Sequence, residues 1–359
     1  MEMSAVWMED VCYDQINDYI HYLPWFYSYP WLSLKTFSYD WSAPESSLHA
    51  YASCVFPIFL SERFGTEIIR LIWERCSWWP GHSFDFSTDD VLNYEYGGKS
   101  LNEEFRQFTI WNYFTDFRTD TTCFFSEGTL FPSVEINQVH SSYPVDVSSI
   151  IHPPSNLASN YIRFITGSSP GGLSIHFDGE DEGAWKVSLI GYKSGFPPLL
   201  EQLDLDSLKR GTFEVHNWQD YQEIIMIRAV VDWSDAIFTY HYSAESDNNL
   251  TYVMGEEADF APSSFSLCQN YPNPFNATTC IRFTIHSSSP SAPLSTELKI
   301  FNLKGEWVRT LVDQELSRGS YEVTWDGKDN EGNPVSSGIY FYRLNRGNSE
   351  KTKKMIILK

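Results

Sequence analysis

Two absences narrow the chemistry at once. The nine histidines lie at positions 21, 49, 82, 140, 152, 176, 216, 241 and 286, and no two are four residues apart. A helix presenting H-E-x-x-H to a zinc ion is therefore missing. The six cysteines, at 12, 54, 76, 123, 268 and 280, form no C-x-x-C pair and no zinc-knuckle spacing. Cations are also scarce, with 25 Lys and Arg against 47 Asp and Glu for a net charge of −22. Such a surface repels phosphate backbones and anionic lipid, which argues against nucleic acid as a partner. No apolar run approaches the roughly 18 residues of a membrane span. Met1–Asp10 has neither the basic nor the apolar segment of a secretory leader.

What is present is aromatic and acidic. Phe, Tyr and Trp make up 16% of the 359 residues, enough for packed cores and too much for a disordered chain. The acid is unevenly spread. Residues 265–359 hold 12 basic and 9 acidic side chains, whereas residues 1–264 hold 13 and 38. The length exceeds a single core, and the pattern divides into residues 1–142, 143–254, a linker at 255–264, and 265–359. The expected fold class is multidomain α+β: a mostly helical N-terminal region followed by two antiparallel β-sandwiches.

In the first region, Ala5, Met8, Cys12 and Ile16 recur at helical spacing within residues 2–20. Pro24 and Pro30 interrupt the following aromatic passage. Helices are predicted over residues 47–64, 66–75 (Ile69, Ile72 and Trp73 inward), 87–93 and 101–117 (Phe105, Phe108, Trp111 and Asn112 in register). From Tyr143 the pattern alternates, and strands are predicted at 161–165, 173–177, 185–192, 211–216, 223–231 and 237–243. They suit a jelly-roll-like or Ig-like sandwich.

The most informative stretch is Phe265-Ser-Leu-Cys-Gln-Asn-Tyr-Pro-Asn-Pro-Phe-Asn-Ala-Thr-Thr-Cys-Ile-Arg-Phe-Thr284. Pro272 and Pro274 fix their own φ and push their predecessors into extended space, making a stiff lead-in. Alternating runs at 281–285, 298–301, 307–311, 321–325, 339–344 and 355–358 then predict an antiparallel sandwich of about one hundred residues. On Gln269-Asn-Tyr-Pro-Asn-Pro-Phe-Asn276, Ile300-Phe-Asn-Leu-Lys-Gly305, Tyr321-Glu-Val-Thr-Trp-Asp-Gly327, Ser337-Gly-Ile-Tyr-Phe-Tyr342 and Lys354-Met-Ile-Ile-Leu-Lys359, this segment resembles the type IX secretion C-terminal sorting domain of type A. That is an Ig-like sandwich related to the flagellar hook-cap Ig-like domain. The resemblance implies a sorting motif at Gln269, Asn270, Tyr271, Pro272, Asn273, Pro274, Phe275, Asn276, Gly338 and Tyr340. It also implies the type IX secretion machinery as partner and an extracellular or outer-membrane surface location.

A looser resemblance covers residues 1 to about 250. Glu2-Met-Ser-Ala5, the following Trp7-Met-Glu-Asp10 and Gly65-Thr-Glu-Ile-Ile-Arg-Leu-Ile-Trp-Glu74 look like the part of a secreted gluzincin-type metalloprotease that follows its active-site helix. The resemblance implies Glu2 as a third zinc ligand, yet the two His ligands and the general base are absent. Read by itself, a glutamate in the first turn of a helix is a partner of the macrodipole. The expectation is an inactive C-terminal part of a longer metalloprotease-like protein, Met1 being internal, with no cofactor held as given and Zn²⁺ only if a preceding part supplies the histidines. The competing expectation is a non-enzymatic surface protein whose middle sandwich meets peptide, protein or glycan ligands through Trp185, Trp218 or Trp233. The acidic stretches Asp178–Gly183 and Asp326–Gly332 read as turns, with Ca²⁺ binding the alternative at the first.

Overall fold

The computed structural model describes residues 2–13, 15–38, 44–78, 83–119, 124–148, 151–166, 171–192, 198–216, 218–232, 236–248, 250, 265–267, 270, 273, 275–285, 294–316, 319–347 and 349–358. They fall into two compact units. One comprises Met1–Phe59, Ile69–Thr119 and Glu127–Glu256, and the other Leu60–Ile68, Asp120–Ser126 and Glu257–Lys359. The 255–264 linker, Cys123, Cys268 and Trp233 lie outside the described residues.

The N-terminal region is helical: α1 (Glu2–Cys12), α2 (Leu23–Tyr27), α3 (Pro44–Ser47), α4 (His49–Ala52), α5 (Val55–Phe64), α6 (Glu67–Trp78), α7 (Phe84–Glu95) and α8 (Leu101–Tyr113). Helix α1 stops earlier than its spacing predicted. Asn17 adopts a left-handed φ of 49°, which turns the chain and leaves Ile16 outside the helix. The buried side chains are Val6 and Trp7, while Ala5, Met8, Cys12 and Ile16 are exposed. The large indole, with the most apolar area to hide, sets the rotation of the helix.

The single helix expected over residues 47–64 is three short ones. Pro57 is the cause, because it has no amide hydrogen and is tolerated only in a first turn. The helix restarts at Val55, which places Pro57 there. Phe108 of α8 centres the helical core, meeting Phe56 at 5.0 Å, Phe59 at 5.4 Å and Phe26 at 5.7 Å between ring centroids. The expected inward face of α6 is half right. Ile69 and Ile72 are buried, but Trp73 is 46% exposed.

Nine strands follow in the same unit: β1 (Gln138–His140), β2 (Val145–Val147), β3 (Ala158–Ile165), β4 (Gly172–Gly179), β5 (Trp185–Tyr192), β6 (Leu199–Gln202), β7 (Arg210–Val215), β8 (Glu223–Val230) and β9 (Tyr240–Asp247). A back sheet runs β1-β3-β8-β5-β6 and a front sheet β2-β9-β4-β7. Pairing is antiparallel except between β1 and β3. Ile162, Val187, Met226, Phe177 and Tyr242 are among the side chains packed between the sheets.

The far side of the back sheet is covered by α8. Tyr161 donates its hydroxyl to the Thr109 carbonyl at 2.8 Å, Arg106 reaches Ser188 Oγ at 3.2 Å, and the Tyr113 hydroxyl bonds Glu223. With both faces covered, all eight residues of β8 are buried. Its sequence is accordingly a near-continuous apolar run rather than an alternation. The front sheet alternates, as a sheet with one solvated face should.

The second unit contains β10 (Phe265–Leu267), β11 (Thr279–Ile285), β12 (Leu294–Asn302), β13 (Trp307–Leu316), β14 (Gly319–Trp325), β15 (Gly338–Arg346) and β16 (Ser349–Ile357). A three-stranded sheet β10-β11-β14 faces a four-stranded sheet β13-β12-β15-β16. Trp325 is fully buried in their shared core. Helices first, then antiparallel sheets ending in an Ig-like sandwich, is the predicted α+β class.

Candidate functional site at the end of the last strand

The described residues of the 269–276 motif are structural parts of the C-terminal sandwich. Asn270 is 1% exposed. Its amide donates to the Tyr342 hydroxyl at 2.9 Å, and its Nδ2 to Thr279 Oγ1 at 2.9 Å, tying the lead-in to β15 and β11. Asn273 accepts the Ile356 amide on Oδ1 at 2.8 Å. Phe275 donates to the Ile356 carbonyl at 3.0 Å and accepts from the Leu358 amide at 2.8 Å, running parallel to Ile357. Its ring is buried against Trp325, with 5.6 Å between centroids.

The other two predicted motif positions border the same strand. Gly338 opens β15 opposite Ile357, and Tyr340 stands opposite Met355. Tyr340 packs its ring 5.4 Å from Trp325 and donates its hydroxyl to the Ser336 carbonyl at 3.0 Å. The end of β16 is thus held from both sides, by β15 along one edge and by Phe275 along the other. Gly327 makes room for it, since with φ at +64° a Cβ there would sit 2.8 Å from Ile357 Cδ1. Of the motif, Asn276 is exposed. Gln269, Tyr271, Pro272 and Pro274 lie outside the described residues.

The role of Asn273 was not legible in sequence. An Asn before a proline reads as an extended residue of the lead-in, and nothing local says that its acceptor serves an amide 83 positions away. Cys280, on β11, is a half-buried free thiol whose pKa burial pushes up to about 11, aided by the neighbouring Glu322. It is an unreactive thiol at neutral pH.

Glu2 lies partly buried in the first turn of α1. Among the described residues no three His, Cys, Asp or Glu side chains come together as a metal site. Among the described residues, then, Glu2 joins no group of donors that fits a catalytic zinc. Trp185 and Trp218 are 5% and 3% exposed and belong to the sandwich core, so neither offers an aromatic surface to a ligand. The Asp178–Gly183 stretch is a cradle for one of them. A Cβ at Gly179 or at Gly183 would fall 2.5 Å from Trp185 Nε1, which donates to the Glu180 carbonyl at 3.1 Å. Among the described residues no helix is long and apolar enough to cross a membrane.

The FlgD Ig-like domain family matches residues 274–350, within the second unit. The C-terminal sandwich is Ig-like by that match, which covers β11 to β15 and reaches only the start of β16. No curated protein matches the chain. Among solved structures, PorZ of Porphyromonas gingivalis, described as a surface component of its type-IX secretion system, is 18% identical over 33% of this chain and 14% of its own, with a TM-score of 0.19. Dimeric latent PorU from the same organism is 17% identical over 56% of this chain and 20% of its own, with a TM-score of 0.26. A β-glucuronidase of Parabacteroides merdae is 10% identical over 55% of this chain and 28% of its own, with a TM-score of 0.24. The chain spans well under a third of each of these proteins, and TM-scores this low define no shared overall fold.

Proposed function

We propose that this is an exported protein delivered to the cell surface or beyond, and that its C-terminal Ig-like sandwich is the sorting signal read by a type IX secretion machinery. The observation that carries the reading is the grip of Asn273, Phe275 and Gly338 on the end of β16. Recognition of a C-terminal signal needs a chain end presented in one geometry, and these contacts fix the strand up to Leu358. Two further facts support it: the motif and the later segments occur in the order of the sorting domain, and the FlgD Ig-like family matches residues 274–350 of the same sandwich. Sorting asks for a presented surface rather than catalytic groups. The helical and β-sandwich unit is then the cargo.

Removing residues 265–359 from the chain, expressed behind a secretory leader in a host that has the secretion system, tests this. The shortened protein should accumulate in the periplasm while the full chain reaches the surface. Surface delivery of both to the same extent would overturn the reading.

A further inference from the structure

The outer face of the front sheet carries a polar cleft that the sorting role leaves unused. It is open to solvent, its volume is about 380 Å³, and it is lined by His176, Asp178, Asp206, Arg210, Thr212 and His241. Strand register assembles it. Asp178 of β4 stands between Arg210 of β7 and His241 of β9, and His176 stands between Thr212 and Ser243. Five of these side chains come from three strands, and Asp206 joins from the loop before β7.

Each polar group is held by a neighbour. Arg210 Nε contacts Asp178 Oδ2 at 3.1 Å. His241 Nε2 meets Asp146 Oδ1 at 2.9 Å, and His176 Nδ1 meets Thr212 Oγ1 at 2.8 Å. Asp206 Oδ1 accepts the amides of Leu208 and Arg210 at 2.8 and 2.9 Å. A carboxylate has about four acceptor sites and a guanidinium five N–H donors, so these contacts leave Asp178, Asp206 and Arg210 with capacity to spare. The result is fixed donors beside fixed acceptors on an open surface.

We propose that this cleft binds a neutral carbohydrate, through its ring hydroxyls. Adjacent carboxylate and guanidinium groups suit a vicinal diol, because each hydroxyl both donates and accepts and charge-assisted hydrogen bonds are the strong ones. The alternatives fit less well. Phe177 lines the cleft but is 2% exposed, so an apolar ligand has nothing to pack on. No three metal-ligating side chains converge among the described residues. Asp178, Asp206 and nearby Asp146, on a chain of net charge −22, repel an acidic sugar. With no exposed ring for stacking, selectivity rests on hydroxyl configuration, and affinity is modest.

The test uses the full chain in titration calorimetry and ligand-observed NMR, with lactose, maltotriose and mannotriose as neutral probes and sialyllactose as the acidic one. At least one neutral probe should bind saturably with a millimolar Kd, and sialyllactose at least fivefold more weakly than lactose if lactose is that probe. Arg210→Ala and Asp178→Ala should each weaken binding tenfold or more with an unchanged melting temperature. Arg282→Ala, on the other sandwich, should leave it unaltered. Thr212→Val, which keeps the charges but removes a hydrogen-bonding group, should weaken it by a smaller factor. Absence of saturable binding to all three neutral probes, or binding that survives Arg210→Ala, would overturn the proposal.

Discussion

Phe275 runs parallel to Ile357 on the free edge of the last strand, exchanging backbone hydrogen bonds of 3.0 and 2.8 Å with the residues on either side of it. Because Gly338 pairs with Ile357 from the opposite edge, the end of β16 is the middle member of a local three-strand ribbon. Terminal residues are ordinarily poorly ordered unless tied down. Here the tie comes from the motif itself, so its sequence and the order of β16 are one property.

Loosening that tie should show directly. Asn273→Ala leaves the Ile356 amide without its acceptor, at a cost of about 1–2 kcal/mol. Phe275→Ala empties a buried site against Trp325, at about 3–4 kcal/mol. Hydrogen exchange of the full chain should then accelerate at Ile356 to Leu358 more than at β12, and more for the Phe275 variant. Equal protection in all three proteins would mean that the strand is held by β15 alone.

The extent to which the sequence disclosed this molecule follows from which interactions are local. The C-terminal sandwich was readable because its strands alternate and its turns carry Gly, Asn and Pro; Trp325 lies in the core, as its place at the end of an alternating run suggested. In the first unit β1, β2 and β6 escaped notice, since three or four residues are too few to establish a period. The rotation of α1 was misread because the spacing of small residues was weighted over one indole. The polar cleft was invisible for a different reason. Asp178, Arg210 and His241 are dozens of positions apart, each an ordinary outward residue on its own strand, and only the register makes them neighbours.

His49 gives the helical core a pH dependence. It is fully buried, its ring 5.5 Å from that of Phe26 and its Nδ1 3.3 Å from Ser53 Oγ, and burial lowers its pKa from 6.5 to about 4. Between those values the unfolded chain holds a proton that the folded chain refuses, so stability declines as pH falls through this window, by up to about 1.4 kcal/mol per unit. Below about 4 His49 adds nothing further to the slope, since it is then protonated in both states. Unfolding free energies from denaturant titrations at a series of pH values should show this slope in the native chain and a shallower one in His49→Gln. Identical slopes would place the acid sensitivity elsewhere.

The glycine pair around Trp185 predicts a spectroscopic change. Gly183→Ala would put a methyl 2.5 Å from the indole nitrogen, so the ring must move out of a core position where it is 5% exposed and packs at 5.4 Å from Phe177. Indole emission should shift to the red and iodide quenching should increase, with a stability loss of about 1–3 kcal/mol from the overpacking. Unchanged emission with unchanged stability would show that the hairpin yields instead of the indole.

Arg228 is a fully buried cation in the β-sandwich of the first unit, and replacing it should strengthen the fold. It lies on β8 with its side chain on the face that Ile224, Met226 and Val230 turn toward the front sheet, and it is 0% exposed. Among the described residues no carboxylate pairs with it, and its polar company is the Tyr240 and Tyr242 side chains. Its guanidinium rests over the Tyr240 ring at 4.2 Å and near that of Tyr242 at 5.8 Å. Burial lowers its pKa, with the two tyrosines opposing the shift. A cation–π contact contributes about 2 kcal/mol when desolvated, whereas the effective penalty for burying an ion is several. Methionine has the length and flexibility to fill the same volume without a charge. Arg228→Met should therefore raise the midpoint of thermal unfolding, by an amount corresponding to about 1–4 kcal/mol. Arg228→Ala, which removes the charge but leaves a cavity, should fall below Arg228→Met. A destabilised methionine variant would mean that the two aromatic faces outweigh the desolvation of the guanidinium.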